Sequence, residues 1–108
     1  MFSKHEITQE LVKYTEQLVK DLYGNYVVQF ILKLNGLDDF KVIIAEKMSK
    51  IIPVLSRQKY SSNVIEKCLQ NNISDFKDKV IEVLKNPEDL ISMIQNEFGN
   101  YGIFCFFL

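Results

Sequence analysis

Three blocks of this chain can be laid over one another without a gap. Tyr23-Gly24-Asn25-Tyr26-Val27-Val28-Gln29, Tyr60-Ser61-Ser62-Asn63-Val64-Ile65-Glu66 and Phe98-Gly99-Asn100-Tyr101-Gly102-Ile103-Phe104 each begin with an aromatic and a small residue. A polar residue then opens an apolar helical pattern. The leading aromatics are spaced 37 and 38 residues apart (23 to 60, then 60 to 98), a period in the range of helical repeat arrays. The flanks recur as well: Leu18, Leu55 and Met93 share one column, and Thr15, Ile52 and Leu90 another. Downstream, Leu32 coincides with Leu69. The repeated unit therefore includes a helix before each block.

Read in order, Ile7, Leu11, Tyr14, Leu18 and Leu22 recur at helical spacing and predict a helix over 6–22, broken near Tyr14-Thr15. Asn25 or Gly24 is expected to cap a second helix that stops at Asn35-Gly36. Asp38-Asp39 place negative charge at the start of the next helix, whose apolar side is Val42, Ile43, Ala45 and Met48. Pro53 fits only a first turn, so a short helix runs from Ile51 or Ile52 to about Gln58. Ser61-Ser62 are expected to cap the helix that follows, and Ser74 with Asp75 the one after it. That helix buries Phe76, Val80, Ile81, Val83 and Leu84. Asn86-Pro87-Glu88-Asp89 combines a cap, a first-turn proline and two acids, a strong start signal for a helix over Leu90, Ile91, Met93 and Ile94. Nothing alternates with period two, so the prediction is an all-α chain, about three helices to a repeat. Units this small must stack to bury their apolar faces.

Composition narrows the function. Apolar residues make up 47% and charged residues 25% of the 108, which is the balance of a globular chain. No apolar run approaches the roughly 18 residues of a membrane span. The start lacks the apolar stretch of a signal peptide, so an intracellular setting is expected, with no membrane partner. Net charge is −1, which argues against a protein that grips nucleic acid mainly through phosphates but leaves a reader of bases open. Cys68 and Cys105 have no Cys or His at ligand spacing and read as small core residues, so neither a metal nor a cofactor is expected. His5, the one histidine, lies near the chain start with no visible catalytic partner. No acid, base or nucleophile cluster appears, and an enzyme is not expected.

Residues four apart on a helix stand on one face. Asn25 with Gln29, and Ser62 with Glu66, therefore form polar pairs beside Tyr26 and Asn63. Carboxamides offer a donor and an acceptor, which matches the mixed edge of uracil. A carboxylate offers only acceptors, which matches the neighbouring donors of guanine. An aromatic between pairs gives a base a surface to stack on. The same residues also read as ordinary helix caps, Asn63 with Glu66 as a capping-box-like pair and Tyr26 as an edge-of-core aromatic.

The segment from Thr15-Glu16-Gln17-Leu18 through Gly24-Asn25-Tyr26-Val27-Val28-Gln29, with Ser62-Asn63-Val64-Ile65-Glu66-Lys67-Cys68 after it, closely resembles the sixth and seventh repeats of the Pumilio (PUF) RNA-binding family. The likeness covers nearly the whole chain. It implies an α-solenoid of three-helix Pumilio-type repeats, with repeats over 6–36 and 37–73 and a truncated one over 74–108. It implies that Asn25 and Gln29 pair with uracil while Tyr26 stacks, and that Ser62 and Glu66 pair with guanine while Asn63 stacks. Asn100 and Tyr101 then face the first U of a 5′-UGU element, the RNA running antiparallel to the repeats. Single-stranded RNA in mRNA 3′ untranslated regions, a cytoplasmic location, and deadenylation or translation-repression factors as partners are further implications.

The third block departs from the family pattern. Gly102 stands in place of an apolar residue and Phe104 in place of Gln, which removes one uracil contact. The turn to Gly-Ile-Phe-Cys-Phe-Phe-Leu is the mark expected of a frame or splice change just after Tyr101. Two rival readings follow from the same helices. One is a peptide-binding solenoid of armadillo or HEAT type; the other is a fragment without function whose Ile103–Leu108 end aggregates.

Overall fold

The structure, a computed structural model, describes residues 3–73 and 75–107, with side chains described as far as Ile103. Ser74, expected at a helix start, and the side chains of Phe104 and Cys105 lie outside this description. The helices are α1 (Lys4–Leu11), α2 (Thr15–Val19), α3 (Gly24–Lys33), α4 (Asp38–Ser49), α5 (Ile52–Ser56), α6 (Lys59–Gln70), α7 (Phe76–Leu84), α8 (Pro87–Ile94) and α9 (Gly99–Phe107). Among the described residues there is no strand, and no helix is long and apolar enough to cross a membrane.

The break expected near Tyr14-Thr15 is a 3₁₀ turn over Val12–Tyr14 between α1 and α2. Such a break frees a carbonyl that needs another donor. The Val12 carbonyl accepts from Thr15 Oγ1 at 2.7 Å and from Lys47 Nζ, on α4, also at 2.7 Å. The proline-led start of α8 forms as expected, with Asn86 Oδ1 accepting from the amides of Glu88 and Asp89. Gly36 takes φ +85, a left-handed conformation, in the turn after α3.

Two helix starts differ from expectation. The helix with Ser61 and Ser62 begins earlier, at Lys59, so both serines lie inside α6. Their hydroxyls donate to carbonyls, Leu55 and Lys59 respectively, and cap no amide. Neither Gly24 nor Asn25 is the N-cap of α3; Tyr23 holds that position.

Packing follows the repeat. The helices α3, α6 and α9 lie side by side in one row, with α4 and α7 packed together in another. The short α2, α5 and α8 sit between: α2 contacts α3, α4 and α6, and α5 contacts α6, α7 and α8. Leu32, Ile44, Met48, Ile52, Leu55 and Phe76 are sealed in the core that this arrangement closes. On α4, Ala45 and Met48 are buried as expected, together with Phe40 and Ile44, while Ile43 is half-buried and Val42 is at the surface. On α7 only Phe76 and Val80 are fully buried, while Ile81, Val83 and Leu84 are half-buried. Cys68 is a core residue, and burial pushes its thiol up to about 12, away from reactivity at neutral pH. His5 meets the ring of Phe40 edge-on at 4.8 Å, a packing contact. The molecule extends 48 × 25 × 21 Å.

Candidate nucleic-acid interface

Each helix of the α3, α6, α9 row starts on its own local chemistry. Asp21 Oδ2 accepts from the amides of Tyr23 at 2.9 Å and Gly24 at 2.7 Å, satisfying donors that the start of α3 leaves open. Asn96 Oδ1 does the same for Phe98 at 2.9 Å and Gly99 at 3.0 Å ahead of α9. Asp21, Gln58 and Asn96 share one repeat column, so the Asx turn was readable as Asp or Asn three residues before a glycine. The bonds from Gly24, then Tyr23, hold the Asp21 carboxyl below its usual value.

The aromatic and polar residues expected to stack stand outside. Tyr26, Asn63 and Tyr101 occupy the same position on three successive helices, and all three are exposed. One turn further along, Gln29 and Glu66 are half-buried, at the edge of the row. Burial lifts the Glu66 carboxyl above its usual value, while the charge of neighbouring Lys67 pulls the other way.

The remaining predicted site residues point inward. Asn25 is fully buried, and its Nδ2 donates to the carbonyls of Asp21 and Leu22, each at 2.8 Å. Its Oδ1 accepts from Gln29 Nε2 at 2.9 Å. Asn25 thus anchors to the turn before the helix and holds the carboxamide of Gln29. Asn100 repeats the anchor, donating to Asn96 O at 2.8 Å and Glu97 O at 3.1 Å. Ser62 is buried and donates to Lys59 O at 3.0 Å. Nothing in the spacing of Asn25 and Gln29 distinguishes two parallel readers from one reader and its support.

Chemically, the row presents a flat or polar surface at each repeat and a hydrogen-bonding side chain beside it. The carboxamide of Gln29 can donate and accept, and the ionised carboxyl of Glu66 can only accept. Among the described residues no group of three or more His, Cys, Asp or Glu comes together as metal ligands would.

Comparison with known proteins agrees with this geometry. The sequence pattern described as the Pumilio-family RNA binding repeat matches residues 15–46 and 52–85. The chain is 36% identical over 98 residues to a Pumilio domain-containing protein of Schizosaccharomyces pombe, covering 91% of this chain and 14% of that protein. It is 33% identical over 100 residues to Pumilio homolog 12 of Arabidopsis thaliana, covering 93% of this chain and 17% of the relative. The chain thus spans less than a fifth of these relatives. Among solved structures, PUF-8 in complex with PBE-RNA superposes with a TM-score of 0.83 at 26% identity, over 94% of this chain and 30% of that one. The Puf3 RNA binding domain bound to the Cox17 RNA 3′ UTR recognition sequence superposes at 0.82 and 28% identity, over 93% of this chain and 34% of that one.

Proposed function

Because this chain belongs to the Pumilio (PUF) family, matched as RNA-binding repeats over more than half its length, we propose that it binds single-stranded RNA and reads a UGU-type element. The observation that carries this reading is the row of Tyr26, Asn63 and Tyr101, exposed at equivalent positions with Gln29 and Glu66 one turn beyond.

In this reading a base stacks at each of the three surfaces and presents its edge to the neighbouring helix. Gln29 pairs with a uracil, and Asn25 fixes its orientation through the bond to Oδ1. Glu66 accepts from the guanine donors, with Ser62 beside it. Asn100 and Tyr101 face the first uracil, and the RNA runs antiparallel to the repeats. The repeats are divided as 6–36, 37–73 and 74–108. The setting is the cytoplasm, on mRNA 3′ untranslated regions, with deadenylation or translation-repression factors as partners and post-transcriptional repression as the outcome.

The test is an NMR titration with short RNAs that carry UGU or UAU. Amide signals of α3 and α6 should shift more with UGU, and Glu66→Gln should remove that preference while the fold is retained. A G preference that survives Glu66→Gln would overturn the assignment. Shifts induced by peptides and not by RNA would favour a protein-binding solenoid.

A further inference from the structure

Equivalent turns follow α3 and α6, and their chemistry differs. The first is Asn35-Gly36 and the second Asn71-Asn72-Ile73. In the second turn the groups that could react are held. The Asn71 carboxamide donates to Lys67 O at 2.8 Å, the Asn72 amide to Leu69 O at 3.3 Å and the Ile73 amide to Cys68 O at 3.2 Å. Ile73 is also buried. In the first turn Asn35 and Gly36 are both exposed. Among the described residues neither the Asn35 carboxamide nor the Gly36 amide has a hydrogen-bond partner. Gly36, at φ +85, leaves its nitrogen uncrowded, and even an added Cβ there would meet nothing within 4 Å. Asn71 and Asn72 are exposed with the preceding unit in place, so exposure at this turn belongs to the repeat.

A free backbone nitrogen, an unrestrained carboxamide and water thus meet at Asn35. We propose that Asn35 is a site of spontaneous deamidation, through a succinimide closed by Gly36. The Gly36 nitrogen attacks Asn35 Cγ. A bond forms between them, the Cγ–Nδ2 bond breaks, and ammonia leaves with the proton of the Gly36 amide. Water then opens the ring. Cleavage of the new bond yields aspartate; cleavage of the original peptide bond yields isoaspartate, whose main chain runs through the side chain and is one carbon longer. Nothing is oxidised or reduced. Elsewhere the same attack is blocked: Asn25, Asn63 and Asn100 lie within helices, and Asn86 precedes Pro87, which has no amide proton. Either product replaces a neutral amide with a carboxylate, one charge more negative than the present −1. That charge arises just beyond Leu34, the C-cap of α3, where the helix already carries partial negative charge, and ahead of Asp38 and Asp39.

Incubation of the whole chain at neutral pH, followed by trypsin, tests this by separating the two turns into peptides 34–41 and 68–77. Peptide 34–41 should gain one mass unit with time, at a rate within a few-fold of the same peptide free in solution. An isoaspartyl methyltransferase should label the product, and peptide 68–77 should stay unchanged over the same interval. Gly36→Asn copies Asn71-Asn72, and Asn72 takes the left-handed φ of 51 that this turn needs. Circular dichroism verifies that the variant folds, and a side chain beside the attacking nitrogen should slow the loss of ammonia about tenfold. A folded parent in which peptide 34–41 reacts no faster than 68–77, or far more slowly than the free peptide, overturns the proposal. So does a mass gain without isoaspartyl labelling, or one that Gly36→Asn leaves at the same rate, since either would mean direct hydrolysis without ring closure.

Discussion

Ser61 donates its hydroxyl proton to the carbonyl of Leu55 at 2.6 Å, at a position where the other two repeats carry glycine. In those repeats the equivalent carbonyls come closer to the helix start. A Cβ on Gly24 would lie 2.7 Å from Leu18 O, and one on Gly99 would come closer still to Met93 O. The same crossing is thus made tightly with glycine and more loosely with a hydrogen-bonded serine.

Gly24→Ala should accordingly force α3 away from α2 and destabilise the protein by about 1–3 kcal/mol. Ser61→Ala removes one hydrogen bond, but Leu55 O keeps a second donor, the amide of Gln58. Its cost should be only about 0.5–1.5 kcal/mol. Urea denaturation of the two variants tests this order, and a smaller loss for Gly24→Ala would contradict the close approach.

Gly102 behaves differently. It is buried inside α9, yet an added Cβ would meet nothing within 4 Å. Gly102→Ala should stabilise the chain by about 0.5–1 kcal/mol, since the change restricts the unfolded backbone and strains nothing. A fall in the urea midpoint would mean the space is not available.

These contrasts show where sequence reasoning succeeds and where it stops. The α8 start was legible because Asn86, Pro87, Glu88 and Asp89 act on one another within a single turn. The roles of Ser61 and Asn25 were not. A hydroxyl that accepts from an amide and one that donates to a carbonyl of the preceding helix look identical in sequence; the difference is made when α5 and α6 pack. Asn25 and Gln29 were correctly placed on one face, but spacing gives no sign that the first points inward and supports the second. Tyr26 read equally as a stacking residue or an edge-of-core aromatic, and periodicity could not decide, because the apolar Val27 beside it is exposed too while Val28 is buried.

Asp21 makes stability depend on pH in an identifiable direction. Its folded-state pKa lies below the ordinary 3.8, so its contribution is complete above that value and is lost as pH falls through the lowered one. Asp21→Asn, which copies Asn96, should keep the turn and flatten this part of the acid limb of the stability curve. Equilibrium unfolding at several pH values checks it; an unchanged acid slope would show that the two amide bonds do not act on the carboxylate.

Glu66 has the opposite sign. Its folded-state pKa lies above the ordinary 4.5, so folding favours the protonated form, and this contribution is lost as pH rises through the raised value. Guanine, in contrast, needs the ionised carboxylate as a double acceptor. Preference for UGU over UAU should therefore fade on acidification at a higher pH than an ordinary glutamate would give. Glu66→Gln should abolish both the preference and its pH dependence. NMR titrations across this range read both effects, and a preference constant through the transition would remove Glu66 from the contact.

The strength of RNA binding follows from the number of repeats with a complete motif. Two repeats gain about 1–3 kcal/mol each from base stacking. Base-edge pairing adds a similar amount, taking about 1–3 kcal/mol per good pair from DNA readout as the scale. Ordering the partners costs about 4–15 kcal/mol before any of this appears as affinity. The third block contributes an exposed Tyr101 but has Phe104 in place of a hydrogen-bonding side chain, so it adds stacking without a complete base edge. The gains and the cost nearly cancel, and a dissociation constant in the millimolar range or weaker is expected for a short UGU RNA. Tyr26→Ala should then lower affinity by about 5- to 150-fold, the equivalent of one stacked base. A micromolar constant for the unmodified chain would mean that the row gains far more than two stacked and paired bases supply.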